Sequence, residues 1–306
     1  MKILTWNCRG LGNPDAVRAY KKLLRSNCPD IVFLMETKLK VSDPKVSSKL
    51  CLGHLQNHFI INCNSEGGGR SGGLALIWHN DVKLNITDHN KMLIDFYVLD
   101  VLNNEKWCGT GLYGYPYQSK KHLTCEAITN LYNSKYNVKW LVFGDFNLYI
   151  NSSEKLGGKN VNYNLCNLCN LFQNTLQNCN LFDLGYHGNK YTWANNQEST
   201  YHIKERIDRY CANDLWINYF PRYTNYHLLR FTSDHSPILL EFWDKHSDAQ
   251  TRLRSAVLPS PTRFRHGRAY DTRTIRVRRG SSRIQQKKKT YSGRDTAQLS
   301  TTRPIT

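Results

Sequence analysis

At six places in this sequence a polar residue stands at the end of an apolar run. Asn7 closes Ile3-Leu4-Thr5-Trp6, and Glu36 follows Ile31-Val32-Phe33-Leu34-Met35. Tyr113 follows Thr110-Gly111-Leu112, and Asp145 and Asn147 follow Leu141-Val142-Phe143-Gly144. Asp208 lies in Arg206-Ile207-Asp208, and Asp234-His235 comes just before Pro237-Ile238-Leu239-Leu240. An ionised side chain at the end of a buried strand is costly unless it is paired or bound to metal. One such residue is unremarkable, whereas the same arrangement in six segments points to convergence on one rim. The chemistry of such a rim follows from the residue types. Carboxylates at Glu36 and Asp234 are hard oxygen ligands suited to Mg²⁺, or to Mn²⁺ in its place, with Asn7 steadying a ligand or a phosphate. Bound metal would neutralise charge building on phosphorus-bound oxygens. Asp145 can take a proton from an attacking water held by Asn147, and Tyr113 offers a hydroxyl to phosphate. His235 titrates near neutrality, and a buried carboxylate such as Asp208 would orient it and favour its charged form. Taken singly, Asn7 and GDFN read as turns, Glu36 as a cap or ion-pair partner and Tyr113 as core; the weight lies in the ordered set.

The elements that must hold these residues alternate between strand and helix. Pro14 after Asn13 opens a helix whose Ala16, Val17, Tyr20, Leu23 and Leu24 recur at helical spacing up to Cys28-Pro29. Short apolar strands are expected at Lys2–Trp6, Ile31–Met35, Phe59–Ile61, Leu74–Trp78, Val82–Thr87, Leu93–Val101, Trp107–Tyr113 and Leu141–Phe143. Later strand-like segments fall at Lys190–Ala194, Glu205–Ala212 and Ser236–Trp243. Helical character marks Gln118–Tyr136 and Asn164–Leu181, the latter with Leu165, Leu168, Leu171, Phe172 and Leu176 near one face. A glycine-rich turn spans Glu66–Gly73. Many strands with interspersed helices suit an α/β architecture of two sheets packed face to face with helices outside.

The formal charge is +18, which favours polyanionic partners. It is unevenly placed: residues 246–306 hold 15 Lys+Arg against 3 Asp+Glu, so the preceding 245 residues are only mildly basic. Few large apolar residues follow Trp243, so 1–244 is expected to be the folded domain and 245–306 a basic disordered tail, or else a non-native extension. The ten cysteines all lie at or before Cys211 and form no regular framework. The chain opens directly on a strand-like segment, and no apolar run approaches the ~18 residues of a membrane span. An intracellular protein with reduced thiols, in nucleus or cytoplasm and without a membrane partner, is the expectation. Cys166 and Cys169 form one CxxC without two further ligands nearby, which favours helix cysteines over a zinc site.

The ordered motifs carry a resemblance. WNCRG at 6–10, MET at 35–37, SGGLALIW at 71–78, TGLYGYP at 110–116, GDFN at 144–147, YTWANN at 191–196, RIDR at 206–209 and SDHSPI at 233–238 resemble the endonuclease/exonuclease/phosphatase superfamily. Within it the sequence is most similar to the apurinic-type endonuclease domain of plant LINE retrotransposons, over about residues 1–243. The resemblance implies a four-layered α/β sandwich, two mixed β-sheets flanked by helices, and Mg²⁺-assisted phosphodiester hydrolysis. It implies that Glu36 binds metal with Asn7 in support and Asp234 completing the metal side. Tyr113 would contact phosphate, Asp145 and Asn147 would position and activate water, and Asp208 would orient His235. DNA is the implied partner; the element's RNA and reverse transcriptase enter only indirectly, and a monomer is expected. Arg70, Lys120, Lys121 and Trp193 are candidates for nucleic-acid contact, against a reading as solvated loop or, for Trp193, core. Two departures weaken a repair function: Arg9 stands where abasic-site repair enzymes carry a carboxylate, and Tyr115-Pro116 where they carry Pro-Asn. In that branch a reverse transcriptase follows the domain, so the resemblance makes a truncated or degenerate copy the expectation. The alternatives are a catalytically silent nucleic-acid-binding or vestigial domain, and a phosphoesterase of the same superfamily with another substrate.

Overall fold

The computed structural model describes residues 1–65, 69–100, 105–135, 137–158, 163–197 and 201–243. The expected basic tail at 245–306 and Glu66–Gly68 of the glycine-rich turn lie outside them. The strands are β1 (Lys2–Asn7), β2 (Ile31–Met35), β3 (Leu55–Ile61), β4 (Leu74–His79), β5 (Lys83–His89), β6 (Leu93–Asp100), β7 (Glu105–Tyr113) and β8 (Trp140–Asp145). They continue with β9 (Lys155–Leu156), β10 (Leu181–Asp183), β11 (His187–Gly188), β12 (Trp193–Ala194), β13 (Lys204–Glu205), β14 (Asp208–Asn213), β15 (Arg222–His227) and β16 (Ile238–Trp243). The α-helices are α1 (Pro14–Asn27), α2 (Val46–Leu50), α3 (His122–Lys135), α4 (Tyr163–Asn178) and α5 (Asp214–Tyr219).

Two mixed sheets organise the fold. One has the order β11-β15-β16-β1-β2-β4-β3, and the other β10-β14-β8-β7-β6-β5. The β1–β2 and β7–β8 pairs are parallel, whereas β16 and β14 run antiparallel to their neighbours β1 and β8. Apolar burial occurs in three layers, as a sandwich with outer helices requires. Ile3, Phe33 and Ile238 of the first sheet meet Phe96, Phe143 and Tyr210 of the second in the central layer. Trp6, Val32 and Ile77 pack outward on Tyr20, Leu23 and Leu24 of α1. Trp140, Val142 and Cys211 pack outward on Ile128 of α3 and Phe172 and Leu176 of α4. The expected helix–sheet–sheet–helix order is therefore the one observed. Tyr210 also ties the sheets together: its hydroxyl donates to Ile3 O at 2.7 Å and lies 2.9 Å from Thr5 Oγ1.

Local chemistry sets the element ends. Asn13 caps α1 by accepting from Asp15 N, with Pro14 at the first helical position. Helix α1 closes at Cys28, whose left-handed backbone donates to Leu24 O. Register then brings the polar strand ends into line. Tyr113 pairs with Asp145 across β7–β8, and Asp145 pairs with Asp208 across β8–β14. In the other sheet Asn7 pairs with Met35, so Glu36 emerges one residue beyond.

The structure departs from the sequence-based expectations at several elements. Of Lys190–Ala194 only Trp193-Ala194 is strand, because Asn189 Oδ1 accepts from Tyr191 N and makes a turn there. Helix α4 stops at Asn178, and Leu181 opens β10. Leu171 is exposed on α4, while Phe172 and Leu176 face the core. The Cys166 side chain lies outside the described residues. Helices α2 and α5 and strand β15 add to the expected set.

Candidate active site

The polar strand ends meet at a cavity of about 230 Å³ lined by Arg9, Glu36, Tyr113, Pro116, Lys121, Asp145, Asn147, Trp193, Glu205, Ile207 and His235. Asn7, buried beneath it, joins the two sheets: its Nδ2 donates to Glu36 Oε1 at 3.1 Å and to Asp145 Oδ2 at 3.0 Å. Tyr113 OH donates to the same Glu36 oxygen at 2.9 Å. Burial and the neighbouring Glu36 and Asp145 carboxylates push the Tyr113 phenol well up, which favours its neutral, donating form.

Glu36 and Asn147 both occupy left-handed backbone, with φ of 51° and 53°. Asn accepts that conformation readily, whereas Glu36 holds it at a cost that site residues commonly carry. Gly144, just before Asp145, has φ of 140°, and a Cβ there would fall 1.9 Å from Leu112 O. Only glycine lets β8 reach the rim beside β7. The turn that follows is fixed by Asn147 N donating to Asp145 Oδ1 at 2.9 Å and Asn147 Nδ2 donating to Gly114 O at 2.8 Å.

His235 sits between two carboxylates. Its Nδ1 is 2.9 Å from Asp208 Oδ2, and its Nε2 is 3.7 Å from Asp145 Oδ2. A ring nitrogen facing a carboxylate this closely carries the proton, so Nδ1 donates to Asp208. Burial alone would lower the His235 pKa, but Asp208 and Asp145 outweigh it and raise it to about 9. Asp145 is pushed up to about 7 by burial and then by Asp208, with His235 and Asn7 acting the other way. The result is a charged imidazolium beside a carboxyl group that titrates near neutrality, a pairing suited to proton transfer.

Asp234 is held by donors on several sides. Arg9 Nη1 donates to Asp234 Oδ2, Trp193 Nε1 donates to the same oxygen at 2.8 Å, and Arg230 Nη1 donates to the Asp234 carbonyl at 3.2 Å. Arg9 also places Nε 3.7 Å from Glu36 Oε2, so its guanidinium lies between Glu36 and Asp234. Trp193 is therefore a hydrogen-bonding wall of the site. Lys121 also lines the cavity, its pKa lowered by burial. Arg70 and Lys120 are exposed and do not line it.

Sequence reasoning missed three supports. Thr192 Oγ1 accepts from Ile207 N at 3.1 Å and Asp208 N at 3.0 Å, which fixes the Asp208 backbone. Ser233 Oγ donates to Asn7 O at 2.7 Å and accepts from His235 N at 3.1 Å, which joins the SDH turn to β1. Glu205 lines the outer wall, paired with Lys155 at 2.5 Å. Thr192 and Ser233 both fall inside the quoted motifs, but nothing in their type distinguishes them from other small hydroxyl residues.

The donor set fits a hard divalent cation: carboxylate oxygens from both sheets converge on one cavity. The ligand atoms of Asp145, Asp208 and His235 lie within 4.8 Å of one another. His235 and Asp208 are committed to each other through Nδ1, however, and that trio reads better as a proton relay. Glu36 also lines the cavity, with Oε1 accepting from Asn7 and Tyr113. Among the described residues no helix is long and apolar enough to cross a membrane.

The fold is shared with proteins of known structure. A 3′ phosphatase, NExo, from Neisseria bound to product DNA hairpin aligns with a TM-score of 0.57 at 18% identity, covering 79% of this chain and 99% of that one. The endonuclease domain of TRAS1, a telomere-specific non-LTR retrotransposon, aligns with 0.57 at 13% identity, covering 80% and 99%. The AP endonuclease LMAP from Leishmania major aligns with 0.57 at 16% identity, covering 80% and 87%. No curated protein sequence matches the chain. Residues 4–235, which span every residue of the rim, match the family described as Endonuclease/Exonuclease/phosphatase, and the chain belongs to that family.

Proposed function

We propose that this protein is a Mg²⁺-dependent phosphodiester hydrolase that nicks DNA, and that it derives from a LINE-type retrotransposon. The observation that carries the reading is the joining of both sheets at one cavity, with Asn7 tying Glu36 to Asp145 and the Asp208–His235 pair beside them. The DNA hairpin held by the Neisseria phosphatase and the retrotransposon origin of the TRAS1 endonuclease support the choice of substrate and branch. Residues 1–244 form the working domain in this reading, and DNA is the direct partner.

Each residue has a role set by its position. Glu36 is the principal carboxylate toward Mg²⁺ or Mn²⁺, with Asn7 in support and Asp234 completing that side. When bound, the ion supplies Lewis-acid stabilisation of charge on the phosphoryl and leaving oxygens. Asp145 accepts the proton of the attacking water, and Asn147 fixes the turn that aims it. Charged His235, oriented by Asp208, donates from Nε2 to a phosphate oxygen. Tyr113 is a second contact for phosphate, through its hydroxyl, and Lys121 and Trp193, which line the cavity, contact the nucleic acid. Arg70 and Lys120 are outlying phosphate contacts.

Supercoiled plasmid incubated with the chain and Mg²⁺ tests the proposal. Nicked circles are expected, with loss of nicking in Asp145→Ala and His235→Ala and after chelation. A folded chain that retains DNA in a salt-sensitive way without cutting it would instead be a nucleic-acid-binding remnant.

A further inference from the structure

The placement of Arg9 bears on the number of ions the site holds. Its guanidinium contacts Asp234 through Nη1 and lies 3.7 Å from Glu36 through Nε, which are the two carboxylates assigned to the metal side. The backbone directs it there. Arg9 has a left-handed φ of 49°, Gly10 follows at 118°, and Arg9 N donates to Asn7 Oδ1 at 3.3 Å. The sharp turn after β1 thus folds the side chain back over the site. About half of the side chain is still exposed, so the guanidinium also faces the cavity that a phosphate would enter.

We infer that Arg9 is a built-in cation that takes the place of a second divalent ion, so that the site holds one metal ion and not two. The inference rests on the phosphodiesterase reading and goes beyond it. Charge balance on the outer side of the cavity supports it. Glu36, Arg9 and Asp234 together carry a net charge of −1. One divalent ion brings that group to +1; a second would bring it to +3, in contact with an arginine that cannot lose its proton. The Asp234 Oδ2 oxygen is also engaged twice, since Arg9 and Trp193 both donate to it. That oxygen therefore already has a cationic partner in Arg9. The planar fork of the guanidinium can then offer its remaining N–H groups to a non-bridging phosphate oxygen, the role a second ion would otherwise fill.

Ion counting tests this directly. The full chain, freed of metal by chelation, is titrated with Mn²⁺, and free ion is followed by electron paramagnetic resonance. Wild type is expected to bind one ion. Arg9→Gln should bind its first ion roughly fivefold more tightly, because a neighbouring positive charge is gone. Arg9→Asp should bind two. Thermal melts confirm that the variants are folded, and Arg9→Gln alone decides the matter if Arg9→Asp does not fold. Two ions in wild type, or unchanged affinity in Arg9→Gln, overturns the inference while leaving the nicking reaction intact. A wild-type chain that binds no ion and nicks no plasmid overturns the phosphodiesterase reading together with it.

Discussion

His235 Nδ1 lies 2.9 Å from Asp208 Oδ2, across the gap between the two sheets. Asp208 opens β14 of one sheet, and His235 precedes β16 of the other, so the pair forms only when the sandwich has closed. Asp208 fixes which ring nitrogen carries the proton and turns Nε2 toward Asp145. Asp208→Asn keeps the shape but offers an amide where a carboxylate stood, so His235 loses its orientation and the nearer of the two carboxylates that favour its charged form. Nicking should fall by about 10²–10⁴-fold, the range for loss of acid–base function. Single-turnover plasmid cleavage measures it, with DNA retention as the control; a loss below tenfold would deny Asp208 its orienting role.

The same group sets a pH window. Asp145 must be ionised to accept a proton, and its pKa is pushed up to about 7. His235 must be charged to donate, and its pKa is raised to about 9. Cleavage should therefore rise through pH 7, peak between the two values and fall through pH 9. In its residual activity His235→Asn should lose the alkaline limb, and its acid limb should move to higher pH because the imidazolium no longer holds the Asp145 pKa down. A flat profile from pH 6 to pH 10 in single-turnover assays would contradict both assignments.

Much of this arrangement is legible in the amino-acid order alone, and the reason is physical. Polar residues at strand ends are expensive, so Glu36 after Ile31–Met35 and Asp145 after Leu141–Phe143 stand out against their apolar runs. The buried strands are legible for the same reason. Strand β15, by contrast, reads Arg-Tyr-Thr-Asn-Tyr-His and has no apolar alternation, because it holds its place by pairing with β16. Helix α5 is six residues long and depends on Asn213, whose Oδ1 accepts from Trp216 N at 3.0 Å. The role of Trp193 lies in one indole N–H aimed at Asp234, and an aromatic residue in a strand carries no sign of that. Arg9 and Thr192 act through partners far away in sequence, which spacing alone does not reveal.

Gly144 gives a test of the scaffold. A Cβ at this position would lie 1.9 Å from Leu112 O and 2.9 Å from Leu112 C, which is backbone that cannot step aside without parting β7 from β8. The positive φ of 140° adds strain for any L side chain. Gly144→Ala should cost about 3 kcal/mol or more and lower the thermal midpoint by several degrees. Gly12→Ala, where nothing lies within 4 Å, is the comparison and should leave the midpoint nearly unchanged. Equal melting of the two variants would show that the β7–β8 approach is not tight.

His227 gives the acid limit of the fold. It is buried against Tyr186, with ring centroids 4.5 Å apart and planes within 6°, and its Nδ1 donates to Asn189 O at 2.6 Å. Burial, aided by Arg206, lowers its pKa to about 4 although the Asn189 carbonyl pulls the other way. The native pKa is thus below the unfolded value of about 6.5, and the unfolded chain binds the proton first. The associated stability is fully present above pH 6.5 and drains away as pH falls through 4, by about 3 kcal/mol in all. His227→Gln keeps a donor near Asn189 and cannot be charged, so it should start less stable at pH 7 and lose less on acidification. Urea unfolding at pH 7 and pH 4 reads the difference, with chelator present throughout so that metal does not contribute. If the gap between wild type and variant stays constant over that interval, His227 is not the acid-sensitive group.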